Sequence, residues 1–355
     1  MTSALLHPVI PGLSIQYFYR EFVHCFACRI LAKGLIMKYT TLGENGPAIS
    51  TIGFGAWAIG GRDWGDTDDT VSKKALHLAL DKGVTFIDTA DVYGFGHSEN
   101  LIREVLEERG EANVTVATKA GNDFYHANEG DDVGYGPYRQ NYDKDYLIGA
   151  VEKSLKRLNV DAIDVLQLHS PDTDKLQRDD PWEALYQLKK SGKIKHAGWS
   201  VQSFKETEQA SLLEEHHELI DAIQVRYNLL ERDAEHVLFP TALKYGIGVI
   251  VRIPLLFGLL TGKFTKDTRF GEDDHRRFNL SPEKLQSYLV DLEKMQPLFE
   301  KYPDQTMAQV SLRFCISHPA CSVAIPGAKK PYQVEDNCAA SDLGPIPEKD
   351  IPSLG

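Results

Sequence analysis

No apolar run in the 355-residue sequence reaches the roughly 20 residues that a membrane-spanning helix needs. Positive charge is in short supply: 39 Lys and Arg stand against 51 Asp and Glu, a formal balance of -12. A nucleic-acid binder needs a basic stripe to neutralise phosphates, so no such partner is expected. Cysteine is sparse and odd in number, five in all, which excludes a disulfide framework and fits reduced thiols in a cytoplasmic compartment. Cys25 and Cys28 form one C-x-x-C with no second pair at zinc spacing, so no metal site is expected. Arg20, Arg29 and Lys33 interrupt the apolar part of the N-terminal stretch, a poor fit to a secretory signal. Also missing is a G-x-G-x-x-G between a strand and its helix. Gly94 and Gly96 lack the third glycine and the ribose-binding acid downstream, which speaks against a doubly wound dinucleotide fold.

What is present is ordinary in bulk and patterned in detail. An apolar fraction of 42% and a charged fraction of 25% are those of a globular protein. Residues 1–36 are broken early by Pro8, Pro11 and Gly12 and carry no capped amphipathic pattern. They read as an N-terminal extension outside the core, or as a mis-set start, with the domain running over 37–355. From Met37, KYTTLGENGPAIS predicts a hairpin turning at Asn45-Gly46. IGFGAWAIG predicts a Gly-rich strand, followed by a helix from about Thr70.

Further strands are expected at VTFID, VTVATKA, AIDVLQLHS, IKHAGWS, AIQVRYN, GIGVIVRIP and CSVAIPG. Helical stripes lie between them, among them Leu147, Val151, Leu155 and Leu158. Ser98 with Glu99, and Ser203 with Glu206, read as helix caps, and Asp180-Pro181 as a helix start. Pro240 is expected to kink its helix, and a short helix runs toward Asn337. Eight strands, each followed by a helix, force a parallel sheet and close most simply into a single-domain α/β fold, the (β/α)8 TIM barrel.

Such a barrel gathers the C-terminal ends of its strands on one face. The second, third and fourth strands end in Asp88, Lys119 and His169, and the loop after Asp88 carries Tyr93. An acid, an amine, an imidazole and a phenol would therefore converge. A lysine about 4 Å from a phenol, at an effective dielectric near 20, favours phenolate by roughly 4 kcal/mol before burial subtracts its share. The polar loop from Asn122 to Asn141, with Trp64, Phe124 and Tyr125, is expected to line a substrate pocket.

FIDTADVYGFGHSE, VATKAG, SLKRLNVDAIDVLQLHSPD, GLLTGKF and IPGAKKPYQVEDN resemble the aldo-keto reductase superfamily, from Met37 to about Asn337. The resemblance implies a catalytic tetrad of Asp88, Tyr93, Lys119 and His169, with Tyr93 the general acid for hydride transfer between a nicotinamide cofactor and a carbonyl. It implies carboxamide contacts from Ser200, here followed by Val201 rather than the usual asparagine, and from Gln224. Arg252 stands where many members stack an aromatic ring on the nicotinamide, and a guanidinium plane can also stack. Pro254 and Leu255 are further implied cofactor contacts, and Gly258, Leu259 and Lys263 fall in the segment covering the pyrophosphate. Lys329 and Gln333 fall in the adenosine-phosphate region, with Asp336 and Asn337 near adenine. Gly327 takes the place of a lysine found in the fullest NADP signatures. The implied cofactor is NADP(H) in preference to NAD(H).

The implied partner is a small aldehyde, ketone or sugar carbonyl, or the corresponding alcohol. Two other classes stay open: a cofactor-holding regulatory subunit of the potassium-channel beta type, and a Schiff-base aldolase using Lys119. Asp88 argues against the second, because it would hold the amine protonated.

Overall fold

The computed structural model describes residues 36–61, 64, 65, 67–125 and 139–352. The extension through residue 35, with Cys25 and Cys28, and residues 126–138 of the long loop lie outside the described residues. Among the described residues, eight parallel strands form one sheet in sequential order: β1 (Phe54–Gly55), β2 (Phe86–Asp88), β3 (Thr115–Ala120), β4 (Ile163–Leu168), β5 (Ile194–Ser200), β6 (Ala222–Arg226), β7 (Gly248–Arg252) and β8 (Cys321–Ala324). Parallel bridges from Ile52 to Ala324 and from Gly55 to Gly327 join the first strand to the last, closing a (β/α)8 barrel. Glycine makes that seam possible. A Cβ on Gly55 would stand 2.7 Å from the Ile325 carbonyl oxygen, closer than any side chain tolerates.

The strand period of two explains what fills the barrel and what caps it. Phe86, Ala117, Val165, Ala222, Ile250 and Val323 meet in one buried cluster inside the sheet. Leu42 and Ile49, from the hairpin Tyr39–Thr41 and Ala48–Ser50, join the same cluster. Two residues further along each of five strands the character of the chain changes: Phe86 is followed by Asp88, Ala117 by Lys119, Val165 by Gln167, Ala222 by Gln224 and Ile250 by Arg252. An apolar plug therefore passes into a polar floor at the C-terminal strand ends.

The helices cover the outside of the sheet: α1 (Asp69–Asp81), α2 (His97–Arg109), α3 (Lys144–Leu158), α4 (Asp179–Lys190), α5 (Glu206–Glu215), α6 (Leu238–Lys244), α7 (Met307–Cys315) and α8 (Pro331–Leu343). Their apolar stripes and the outward faces of the strands form the larger core, with Trp199, Leu185 and Val151 among its buried side chains.

Several local expectations are corrected. The strand expected in IGFGAWAIG is two residues long, and Ala56–Ile59 turns into a 3-10 helix. Ser98 does not cap α2, which starts after Gly96 in the left-handed region. Its buried hydroxyl donates to the Ala56 carbonyl at 3.1 Å and accepts from Thr89 at 2.8 Å. Ser203 does not cap α5 either, because its hydroxyl accepts from Arg252 at 2.9 Å. Pro181 and Pro240 are each the third residue of a helix, within the first turn, where a missing N–H leaves no bond unmade. Pro240 therefore causes no kink. The last helix is not short; α8 continues to Leu343.

Candidate active site

Asp88 ends β2, and a tight run of turns then carries Tyr93 back over the strand ends before α2 begins. Lys119 reaches across from β3, 1% exposed, and donates to Asp88 Oδ2 at 2.7 Å and to the Thr89 carbonyl at 2.8 Å. Its third direction is Tyr93, with Nζ 3.4 Å from the phenol oxygen. The other carboxylate oxygen, Oδ1, accepts from Gln224 Nε2 at 2.6 Å and more weakly from Gln167 Nε2 at 3.4 Å. Asp88 thus has a donor on each oxygen, and Lys119 is held with one proton aimed at Tyr93. The Tyr93 ring lies nearly parallel to Trp57, with centroids 5.9 Å apart, and edge-on to His169 at 5.7 Å.

Electrostatics set the protonation states. Burial pulls the Lys119 ammonium down, but Asp88 and Tyr93 together outweigh it and leave its pKa above the usual lysine value. Burial pushes the Tyr93 phenol above its usual value and exceeds the opposing pull of Lys119. Desolvation therefore wins over the lysine's pull, and the phenol stays protonated. Burial, then the charges of Lys119 and Arg252, push His169 well below the ordinary histidine range, so a neutral imidazole faces Tyr93.

Beneath the Tyr93 loop lies a second polar cluster. Glu99, fully buried on α2, accepts from Arg157 Nε at 2.5 Å and from the Thr118 hydroxyl at 2.7 Å. Arg157 also donates to the Tyr125 hydroxyl at 2.9 Å, and Tyr125 bonds Asp91 at 3.4 Å. Burial and the neighbouring Glu99 charge raise the Asp91 carboxyl well above its normal range. The cluster ties α2, β3, α3 and the Tyr93 loop together. Breaking a buried pair strands its partner, so Glu99→Ala should destabilise the fold by about 3–5 kcal/mol. Urea unfolding followed by circular dichroism measures this; a loss below about 1 kcal/mol would mean that the pair is no brace.

A cavity of about 1550 Å³ opens over the polar floor. That exceeds the roughly 300–1,000 Å³ of sites for compact ligands and suits an elongated one. Asp88, Tyr93 and His169 line it, as do Ser200, Gln224 and Arg252. Pro254, Leu255, Gly258, Lys263, Gly327, Lys329 and Gln333 line it too, so most of the expected site residues share one space. Lys119 supports that space from behind Tyr93. Trp64 lines it as expected, and its backbone bridges to Asp274, so the segment after β7 roofs the cavity with Arg276 and Phe278.

Leu259 is buried in the core rather than lining the cavity, and four more expected residues fall elsewhere. Phe124 stacks on Phe95 at 5.0 Å, and Tyr125 is held by Arg157 and Asp91, so neither is a lining residue. Asn122 and Gln140 represent their loop at the cavity instead. Asp336 and Asn337 lie one turn along α8 from Gln333 and do not line the cavity. Asp336 accepts from Thr306 at 2.9 Å and from Gln309 at 2.8 Å, tying α8 to α7. Gln333 turns its side-chain oxygen onto the backbone N–H groups of Lys329 and Lys330, fixing the turn that carries both lysines.

Sequence reasoning missed Gln167, Arg226 and Arg276. A lone glutamine in an apolar strand, two residues before His169, was the signal for the first, and the structure buries it fully. Arg226 lines the cavity while paired with Glu231, and Arg276 while paired with Asp274. One region of the wall gathers Lys263, Arg276, Lys329 and Lys330. Burial, then repulsion from Arg276 and Lys329, lowers the Lys263 pKa. Cations concentrated against their own repulsion suit phosphate groups, so the residues present fit a dinucleotide phosphate cofactor.

The model of the Aldo/keto reductase family matches residues 51–354. The chain is 33% identical to an aldo-keto reductase of Bacillus subtilis (strain 168) over 308 residues, covering 84% of this chain and 87% of that relative. It is 29% identical to a probable voltage-gated potassium channel subunit beta of Arabidopsis thaliana, over 87% of this chain and 93% of that one. Among solved structures, glycerol dehydrogenase from Gluconobacter oxydans superposes with a TM-score of 0.71 at 32% identity, covering 88% of this chain and 92% of that chain.

Proposed function

Because the chain belongs to the aldo/keto reductase family of oxidoreductases, whose members use nicotinamide cofactors, we propose that it reduces an aldehyde, ketone or sugar carbonyl with NADPH, or oxidises the corresponding alcohol. The observation that carries this reading is the chain of contacts Asp88–Lys119–Tyr93, 2.7 and 3.4 Å long, at the floor of a cavity with a cationic wall. A bound nicotinamide supplies the hydride. Tyr93 gives its proton to the carbonyl oxygen as that oxygen gains negative charge, and Lys119 stabilises the phenolate left behind. Asp88 keeps Lys119 charged and aimed. His169, neutral, orients the carbonyl oxygen. Ser200 and Gln224 hold the carboxamide end, while Lys263 and Lys329 hold phosphates. A panel of carbonyls with NADPH and of alcohols with NADP+, read by cofactor absorbance, tests the proposal; no turnover of any pair would sink it.

The phenol is raised and the imidazole depressed, which fixes the expected pH dependence. The acid form of Tyr93 is present below its raised pKa and is lost only as pH rises through it. His169 carries no proton to lose near neutrality. Reduction at saturating NADPH should therefore stay level from about pH 6.5 to 9 and decline only above about 10, the usual phenol value. An inflection near pH 7 in wild type would place an essential titrating histidine in the site and contradict this assignment.

Lys329 Nζ donates to the Trp64 carbonyl at 2.8 Å, which places the ammonium at the wall of the cavity. A charge-assisted bond to a 2′-phosphate contributes about 1.5–3 kcal/mol, or roughly 10- to 150-fold in affinity. Lys329→Met should weaken NADPH by that factor and leave NADH within about twofold. Equal losses for both cofactors would show that the lysine supports the loop.

The similarity to a channel beta subunit keeps a cofactor-holding regulatory role as a second reading. Tight cofactor binding with no turnover would favour it. A Schiff-base role for Lys119 is disfavoured by its raised pKa and its contact with Asp88, since the attacking amine must be neutral.

A further inference from the structure

We infer that Arg252 biases the site by charge toward the reduced cofactor, so that NADPH binds more tightly than NADP+. The inference rests on the nicotinamide reading above and concerns its regulation.

Every other buried cation around the floor has a carboxylate in contact: Lys119 has Asp88, Arg157 has Glu99 and Arg226 has Glu231. Arg252 differs. Among the described residues it forms no ion pair, and its guanidinium donates to two neutral oxygens, the Val201 carbonyl at 3.0 Å and the Ser203 hydroxyl at 2.9 Å. Its Nε is buried without a hydrogen-bond partner. The residue ends β7 and lines the cavity together with Tyr93 and His169, so its charge is open to whatever lies beside them.

The guanidinium is poorly placed to grip an anion directly. One terminal nitrogen is committed to Val201 and Ser203 and Nε is enclosed, so no edge offers the paired N–H groups that a carboxylate takes bidentately. Nη1 can still donate to a single acceptor, but the charge as a whole acts through space. The nicotinamide ring is a cation when oxidised and neutral when reduced, and a hydride donor serving Tyr93 has to lie beside the carbonyl that Tyr93 protonates. A positive charge with no carboxylate in contact, on which Glu206 and Glu231 act only from a distance, repels only the oxidised form. Two unit charges about 6–10 Å apart at an effective dielectric near 20 correspond to roughly 15- to 100-fold in dissociation constant. An aromatic ring at this position would carry no such bias.

The test is fluorescence titration of the full-length protein with NADPH and with NADP+, in wild type, Arg252→Met and Arg252→Lys. Wild type should bind NADPH at least tenfold more tightly. Arg252→Met should shrink that ratio at least fivefold, chiefly by tightening NADP+, whereas Arg252→Lys, which keeps the charge without the plane, should hold it within about threefold of wild type. A ratio unmoved in Arg252→Met, or shifted equally in both variants, would overturn the inference. A wild type that bound neither nucleotide would bring down the cofactor reading itself, and this inference with it.

Discussion

Tyr93→Phe should slow carbonyl reduction by about 10³- to 10⁴-fold, the upper part of the range for losing a positioned general acid. The substitution removes one oxygen and leaves the ring against Trp57 and His169, so the shape of the cavity should survive. NADPH binding should stay within a few-fold of wild type, because the cationic wall that would hold the phosphates is untouched. Neither Lys119 nor His169 is set up to take over. Lys119 is committed to Asp88 and to the Thr89 carbonyl, and His169 is held neutral. Reduction within tenfold of wild type, with normal cofactor binding, would mean that another group delivers the proton.

Lys119→Met should be nearly as damaging to the rate and should also unsettle the fold. Without the ammonium, burial and the Asp88 charge act on Tyr93 against only the weaker pull of Arg252 and drive its pKa further up. Asp88, 3% exposed, would keep only the amide donors of Gln224 and Gln167. Removing one partner of a buried pair costs about 3–5 kcal/mol, which should appear as a lowered unfolding midpoint in urea. Adding Asp88→Asn removes the stranded charge, so the double variant should recover most of the stability and little of the rate. Combined with Tyr93→Phe, Lys119→Met should add little further loss, because the two residues act as one acid. Recovery of both stability and rate in the Asp88→Asn background would show that Lys119 is only a structural counter-ion.

The parts of this site that were legible in the sequence are those set by strand periodicity. An apolar strand ending in one polar residue announces a strand-end floor, which is why the sequence alone brings Asp88, Lys119 and His169 together. The glycines of the closing seam were visible as composition, but not their purpose, since Gly55 lies in the first strand of the sheet and Ile325 directly follows the last. Caps failed where tertiary contacts outbid local ones: the hydroxyls of Ser98 and Ser203 bond to Ala56 and Arg252 rather than to their own helices. The Glu99–Arg157 brace escaped notice because its partners lie 58 residues apart on different helices, where no spacing rule reaches. For Phe124 and Tyr125, aromatic character beside a functional loop suggested a pocket wall. In the structure, stacking on Phe95 and hydrogen bonds to Arg157 and Asp91 draw both into the brace.

The central claim is that hydride passes from a nicotinamide to a carbonyl carbon while Tyr93 protonates the oxygen. The most direct measurement supplies the purified protein with NADPH carrying deuterium in place of the transferable hydrogen on the ring, together with an aldehyde that it reduces. Mass spectrometry then locates the label in the product. One deuterium is expected on the carbinol carbon, with none acquired there from water. An alcohol without deuterium, or an adduct trapped on Lys119 by borohydride, would contradict it.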